Sequence, residues 1–306
     1  MKPLDVTIII LSFNTKDLTL KCIASISKYE PQVNKIIIVD NNSTDGSAEL
    51  LTSLTQKNKN LTLVKLKENK GFAAGNNVGI KKVKTKYILV LNSDTEFKRP
   101  ILRNMLKMLD EDKKIGAVSC KLVYPDGRVQ ATGGYFPTLP SVFSWMTIQD
   151  LPLVDNIIKP FHPLREKSLF RSDSFYQKDQ DLDWLTGAFF LFRQEIVKKI
   201  GLFDENYFMY TEDVDYCFRI KNAGWKIKYF PEYEIIHHGG SSSTKEFSTL
   251  SEFEGIKKFY KKFYPKAHFF WLRMFLKIGA LWRIAVFGII EGKKSADIYK
   301  KAFLNA

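Results

Sequence analysis

The run Tyr87-Ile-Leu-Val-Leu-Asn-Ser-Asp94 is the feature that most restricts what this chain can become. Its apolar residues are continuous and stop abruptly at Asn92-Ser93-Asp94. A short apolar run bounded by polar residues suits a strand buried on both faces, as in a parallel sheet. In open α/β sheets, ligands gather outside the carboxyl ends of the strands. Asp94 would then be a carboxylate held at the rim of a crevice by a rigid strand. Asn-Ser-Asp also reads as a plain turn, because all three residues favour turns. The neighbouring segments decide between the two.

Those segments repeat the pattern. Val6 to Leu11 reads as the first strand and leaves through Ser12-Phe13-Asn14. Asp17 to Lys28 reads as a helix with Leu18, Cys22 and Ile26 on one face. Lys35 to Asp40 is a second strand running into an acid, followed by the polar turn Asn41 to Ser47 and a helix from Ala48 to Leu54. Leu61 to Leu66 is a third strand, and Lys70 to Gly79 opens the next helix. Strands alternating with helices at this spacing predict βαβ units and a mostly parallel sheet.

The second half differs. Tyr124 to Asp181 is rich in proline, aromatic and turn residues and has no clear period. Such a stretch is either functional or surface padding. Order returns with an apolar strand over Asp183 to Phe192 and a short helix from Gln194 to Ile200. Glu212 to Ala223 reads as a helix whose acidic first turn suits the helix dipole and which stops at Gly224. Trp225 to Phe230 and Glu234 to His238 read as two more strands.

A chain of 306 residues accommodates one large α/β domain with an appendage. A formal charge of +14 asks for an anionic partner. No nucleic-acid motif is present and the basic residues concentrate late, which leaves an acidic membrane surface or phosphorylated ligands. Cys22, Cys120 and Cys217 have no paired spacing, which excludes a disulfide framework or zinc site and suits a reducing compartment. The apolar part of the N-terminus is too short for a signal peptide.

The first βα turn has no glycine, so the dinucleotide fingerprint fails. Gly71, Gly75 and Gly79 are spaced by four with no following Gly-Lys-Ser/Thr, so the P-loop fails too. These glycines serve either tight helix packing or an approach of helix N–H groups to an anion. Asp40 and Asp94 both stand at strand exits. An acid after the second strand can accept hydrogen bonds from a ribose or base, and an acid after the central strand can hold a hard divalent cation. Glu212, Asp213 and Asp215 crowd together, which is either a raised-pKa general base or an acidic helix N-terminus.

Taken in order, these segments are recognisable. Ser12-Phe13-Asn14, Val39-Asp40-Asn41-Asn42 through Ser47, Asn69-Lys70-Gly71-Phe72 through Asn77, Leu91-Asn92-Ser93-Asp94, Trp184-Leu185-Thr186-Gly187-Ala188, and Phe203-Asp204-Glu205 through Arg219 all occur. The set resembles the family 2 inverting glycosyltransferases of the GT-A fold, in particular their bacterial rhamnosyltransferase-like branch. The resemblance runs from about Val6 to about Ser243. It implies a Rossmann-like, mostly parallel central sheet with helices on both faces and a C-terminal helical appendage. The catalytic domain would cover residues 1–245 and a basic aromatic tail residues 246–306.

The resemblance also implies roles. Asp40 would bind a uracil or thymine ring, with Ser12, Asn14 and Asn42 nearby. Asn69, Gly71, Phe72 and Asn76 would line the nucleoside and diphosphate. Asn92-Ser93-Asp94 stands where the family carries its DxD motif, so Asp94 would hold Mg2+ or Mn2+ with water or another residue. Asp213 would be the catalytic base, with Trp184, Gly187 and Glu212 at the acceptor. A late histidine, with His237 chosen over His238, would be a further metal ligand or else a structural, hydrogen-bonded group; adjacent strand residues point to opposite faces, so only one of the pair would reach the site. The reaction would pass rhamnose from dTDP-rhamnose, or a sugar from a UDP-sugar, to a glycan or polyprenyl-linked acceptor in bacterial surface polysaccharide synthesis. A nucleotidyltransferase would instead carry a Gly-rich basic loop after strand one, and a non-catalytic binding subunit would lack the base.

From Ile256 onward basic and aromatic residues alternate. The apolar run His268 to Ile290 is long enough to span a bilayer but is interrupted by Arg273, Lys277 and Arg283. That composition suits a helix in the interface of an anionic membrane, which would make the protein cytoplasmic and peripheral at the inner face. A helix packed on the catalytic domain, or a dimer contact, is the alternative.

Overall fold

The structure is a computed structural model that describes residues 2–151, 153–164, 173–240 and 244–306. Among the described residues, nine strands form the main sheet. They are β1 (Val6–Ser12), β2 (Ile36–Asp40), β3 (Leu61–Lys65), β4 (Tyr87–Asn92), β5 (Thr95–Phe97), β6 (Ile115–Val123), β7 (Gln180–Asp181), β8 (Phe189–Arg193) and β9 (Lys226–His237). Their order is β3-β2-β1-β4-β8-β6-β9-β5, with β7 paired to β9. β1 to β4 are mutually parallel, β8 runs antiparallel between β4 and β6, and β9 is parallel to β6.

The chain divides into two compact units. The first comprises residues 1–132, 176–208 and 212–242 and contains the sheet. Its helices are α1 (Lys16–Tyr29), α2 (Ser47–Lys57), α3 (Gly71–Ile80) and α4 (Leu102–Glu111). The alternation of β1 assigns its two faces. Val6, Ile8 and Ile10 share a core with Cys22, Ile23 and Ile26 of α1 and with Leu102, Met105 and Leu106 of α4. Ile9 and Leu11 face α3, where a Cβ on Gly79 would lie 2.6 Å from Ile9 and one on Gly75 would lie 2.5 Å from Leu11. The regular glycine spacing therefore brings a helix backbone onto β1, and helices cover both faces of the sheet. Burial lifts the Cys22 thiol to about 12 and those of Cys120 and Cys217 upward as well, so all three behave as apolar core groups.

Two buried charges fix the far end of this unit. Glu30 accepts from the N–H groups of Ile101 and Leu102 at 2.5 and 2.8 Å, which caps the start of α4. Arg193 donates to the carbonyls of Ile115 at 2.7 Å and Asp112 at 3.1 Å, and to that of Leu109, at the other end of the same helix.

β9 was expected as two strands, 225–230 and 234–238. It is one strand, and the register against β6 shifts between Phe230 and Glu234. Pro231 lies in that shift, where its missing N–H breaks no ladder bond.

The second unit comprises residues 133–175, 209–211 and 243–306. It joins part of the irregular segment to the C-terminal tail; residues 165–172 of the segment lie outside the described residues. Its helices are α5 (Leu139–Met146), α6 (Val154–Ile157), α9 (Lys245–Phe263), α10 (Lys266–Ile290) and α11 (Lys293–Asn305); α7 (Gln194–Ile200) and α8 (Glu212–Asn222) belong to the first unit. Gly279 brings α10 against Met146, where a Cβ would lie 2.3 Å away. Arg283 donates to the Trp145 carbonyl at 2.6 Å and lies over the indole ring. No described helix is long and apolar enough to cross a membrane.

Candidate active site

The exits of β1 and β2 are bound together by backbone and amide groups. The Asn41 N–H donates to the Ser12 carbonyl at 2.8 Å. Asn14 and Asn42 both take left-handed backbone (φ 53 and 68), a conformation asparagine tolerates better than most residues. The Asn14 N–H donates to Ser43 Oγ at 3.0 Å, and Asn14 Oδ1 accepts from the Thr44 N–H at 2.7 Å. Asp40 Oδ2 accepts from the Ser43 N–H at 3.3 Å. Asp40 is buried, and its Oδ1 has no hydrogen-bond partner in the protein. A buried carboxylate oxygen without a donor is costly, so this position is set up to accept a hydrogen bond.

Asn41 had no assigned part, yet it links the second strand to α3. Its Nδ2 donates to Asn69 Oδ1 at 2.7 Å and its Oδ1 accepts from the Lys70 N–H at 2.9 Å. Asn69 Oδ1 also takes the Gly71 N–H at 2.9 Å. Gly71 itself has φ +75, and a Cβ there would lie 2.1 Å from the Phe208 carbonyl oxygen. Ser12 and Ser93 lie inside a buried chain of hydroxyls. Ser12 Oγ is 3.0 Å from Thr19 Oγ1, and Thr15 Oγ1 is 2.9 Å from Ser93 Oγ. Asn76 is fully buried; its Nδ2 donates to the Phe72 carbonyl at 3.0 Å and its Oδ1 has no partner in the protein.

At the exit of β4, Asp94, Asn92 and His237 come together. His237 Nε2 is 3.3 Å from Asp94 Oδ1 and 3.3 Å from Asn92 Nδ2. Gln130, which no motif singled out, sets the ring. Its Nε2 donates to the His237 carbonyl at 2.5 Å, which turns Oε1 to within 2.7 Å of His237 Nδ1. An amide oxygen only accepts, so Nδ1 carries a proton and the neutral ring keeps its lone pair on Nε2. The Asp94 carboxylate is held in turn, with Oδ2 accepting from the Gly239 N–H at 3.1 Å. His238 points elsewhere, its Nε2 lying 2.7 Å from Glu96 Oε1.

A carboxylate oxygen 3.3 Å from an imidazole nitrogen forms a donor pair suited to a divalent cation such as Mn2+ or Mg2+. Gln130 supplies the outer hydrogen bond that ligating histidines commonly have. Among the described residues no group of three or more His, Cys, Asp or Glu side chains is gathered for a metal. Asp94 and His237 are the side chains here that would hold such an ion.

The acidic cluster separates into three environments. Asp215 is fully buried and accepts from Arg219 Nε at 2.7 Å, while Arg219 also donates to the carbonyls of Ile200 and Leu202; this is a scaffold pair. Glu212 is buried with Oε2 unpartnered in the protein, and burial first, then the neighbouring Asp213 charge, holds its pKa well above the ordinary range. Asp213 stays partly accessible. Its Oδ2 accepts from the Gly187 N–H at 3.3 Å and its Oδ1 from the Val214 N–H at 2.8 Å.

Gly187 allows this contact: a Cβ there would lie 2.4 Å from the Phe72 ring. Phe72 of α3 thus positions the loop after the buried Trp184. Tyr210 and Thr211, directly before α8, both take positive φ (69 and 71), a strained entry of about 1–3 kcal/mol each that defines where Glu212 and Asp213 begin the helix.

Comparison with known proteins places the chain in a family. Residues 7–201 match the family model described as Glycosyl transferase family 2. The chain is 25% identical over 236 residues to an N-acetylglucosaminyl-diphospho-decaprenol L-rhamnosyltransferase of Mycobacterium tuberculosis, covering 73% of each chain. It is 28% identical over 185 residues to a rhamnosyltransferase of Escherichia coli K12, covering 58% of this chain and 64% of the relative. Among solved structures, the mannosyltransferase PcManGT from Pyrobaculum calidifontis in complex with GDP-Man and Mn2+ superposes with a TM-score of 0.58 at 15% identity, covering 98% of this chain and 79% of that one. GalNAc-T7 with UDP, GalNAc and Mn2+ gives 0.59 at 14% identity, covering 84% of this chain and 47% of that one. The fold is the GT-A fold, and with the family model spanning well over half its length the chain belongs to glycosyltransferase family 2.

Proposed function

We propose that this glycosyltransferase takes a sugar from a pyrimidine nucleoside diphosphate and attaches it, with inversion, to a hydroxyl of a prenyl-diphosphate-linked glycan. The favoured donor is dTDP-rhamnose, because two relatives are named as rhamnosyltransferases. The acceptor follows from the name of the mycobacterial relative, which specifies a decaprenyl diphosphate sugar.

The buried Asp40 oxygen accepts the N3–H of the pyrimidine, with Asn14 and Asn42 beside it and Asn41 and Asn69 bracing the α3 entry. Asp94 and His237 hold Mg2+ or Mn2+, which when bound supplies positive charge against the leaving diphosphate. Asp213 takes the acceptor proton as the hydroxyl oxygen attacks. The Gly187 N–H keeps its carboxylate oriented, while Trp184 and Glu212 shape the acceptor side. Attack from the face opposite the leaving diphosphate inverts the anomeric carbon.

The convergence of Asp94 Oδ1 and His237 Nε2 to 3.3 Å, with the ring fixed by Gln130, carries this reading. The test is transfer from dTDP-rhamnose and from UDP-sugars to N-acetylglucosaminyl prenyl diphosphate, with the product anomer assigned by NMR. Rhamnose transfer with inversion supports it. A product retaining the donor's anomeric configuration contradicts the mechanism, and transfer from UDP-sugars alone contradicts the donor.

A further inference from the structure

Helix α10 has one face that the second unit leaves uncovered. Leu272, Leu276, Gly279 and Ala280 are buried, whereas Phe270, Trp271, Ile278, Leu281, Trp282 and Ile289 are between 43 and 87% exposed. At about 100° per residue those six fall within an arc of about 120°, along a helix of roughly 37 Å. An apolar strip of this length is not ordinary surface. Lys266, Arg273 and Lys277 follow one border of the strip, within about 60° of it. No acidic residue occurs from Gly255 to Ile290, while Glu246 to Ala306 contains twelve basic residues and five acidic ones.

We infer that this face of α10 is a docking surface for an anionic lipid bilayer, on which the helix lies in the headgroup interface rather than crossing it. The apolar arc enters the acyl boundary, the two tryptophans sit at the depth that suits indole rings, and the bordering cations meet lipid phosphates. A second copy of the chain is the less suitable occupant. It would present the same acid-free helix and set cations against cations, whereas a bilayer offers apolar and anionic surface together. This inference goes beyond the transfer reaction and does not rest on the donor site. It would supply the same surface on which a prenyl-linked acceptor resides.

The test is co-sedimentation of the full chain with vesicles of phosphatidylglycerol and phosphatidylcholine, and with phosphatidylcholine alone. Binding to the anionic vesicles is expected, weaker by about ten-fold or more on neutral ones and weakened by raising NaCl from about 0.1 to about 0.5 M. The double variant W271S/W282S, and separately L281S/I289S, should each lose about ten-fold or more in partitioning while melting at the parent temperature. Brominated lipids should quench tryptophan emission in the parent and not in W271S/W282S. Absence of binding to anionic vesicles, or equal binding by well-folded serine variants, overturns the inference. A dimer that those variants dissolve, in a protein that ignores vesicles, assigns the face to a second copy instead. Mn2+-dependent dTDP binding measured on the same variants separates failure of this surface from failure of the donor site.

Discussion

Gln130 grips His237 at both ends, taking its carbonyl with Nε2 at 2.5 Å and facing its Nδ1 with Oε1 at 2.7 Å. The two bonds together fix which ring nitrogen faces Asp94. Replacing Gln130 with Leu leaves Asp94 and His237 in place but releases the imidazole. Q130L should weaken Mn2+ binding by about 10–100-fold, measured by EPR of Mn2+ in the presence of dTDP. Unchanged affinity would remove Gln130 from the site.

Asp213 and Glu212 are neighbours in unlike surroundings, the first partly accessible and the second buried. D213N preserves size and removes the proposed base, so turnover should fall by about 10²–10⁴-fold with donor affinity retained. A variant with near-parental turnover would take Asp213 out of the mechanism.

Glu212 makes a prediction about stability. Its carboxyl is held well above the usual range in the folded chain, by burial first and by Asp213 second. The folded state therefore keeps a proton that the unfolded state has released, and stability falls as pH rises from about 4.3 toward the folded value. E212Q removes that loss. Its melting temperature should exceed the parent's at neutral and alkaline pH, and the gap should close toward about pH 4. Parallel melting profiles across the range would contradict this account of the site.

Two glycines with similar backbone separate conformational strain from steric conflict. Gly71 and Gly127 have φ +75 and +85, but a Cβ would meet the Phe208 carbonyl at 2.1 Å in the first case and open space in the second. G127A should cost about 1 kcal/mol and G71A more than about 3 kcal/mol, read by denaturant unfolding. Equal costs would show that the approach of α3 to Phe208 is not tight.

Much of the architecture was legible because the physics is local. β1, β2 and β4 are continuous apolar runs ending in polar residues, and of the three spaced glycines Gly75 and Gly79 prove to bring their helix close onto a strand. What escaped reading depends on distant partners. The insertion of β8 between β4 and β6, antiparallel to both, has no local signal. The single bent strand β9 looked like two because Pro231 and a register shift interrupt its pattern. Gln130 and Asn41 act through carbonyls and amides far along the chain, so neither carries a motif. Ser12 stands in a familiar motif, yet its hydroxyl bonds with Thr15 and Thr19, a burial that composition does not reveal. The exposed arc of α10 was visible as composition, but which residues form it required the buried side to be known.

The most direct test of the donor site is thermal unfolding with dTDP, UDP, GDP and ADP, each with and without Mn2+. A ligand that binds only the folded chain raises its melting temperature by mass action. A Mn2+-dependent upward shift is expected with dTDP, smaller or absent with GDP and ADP, and lost in D94A. No shift with either pyrimidine diphosphate, or a shift that survives in D94A, would contradict it.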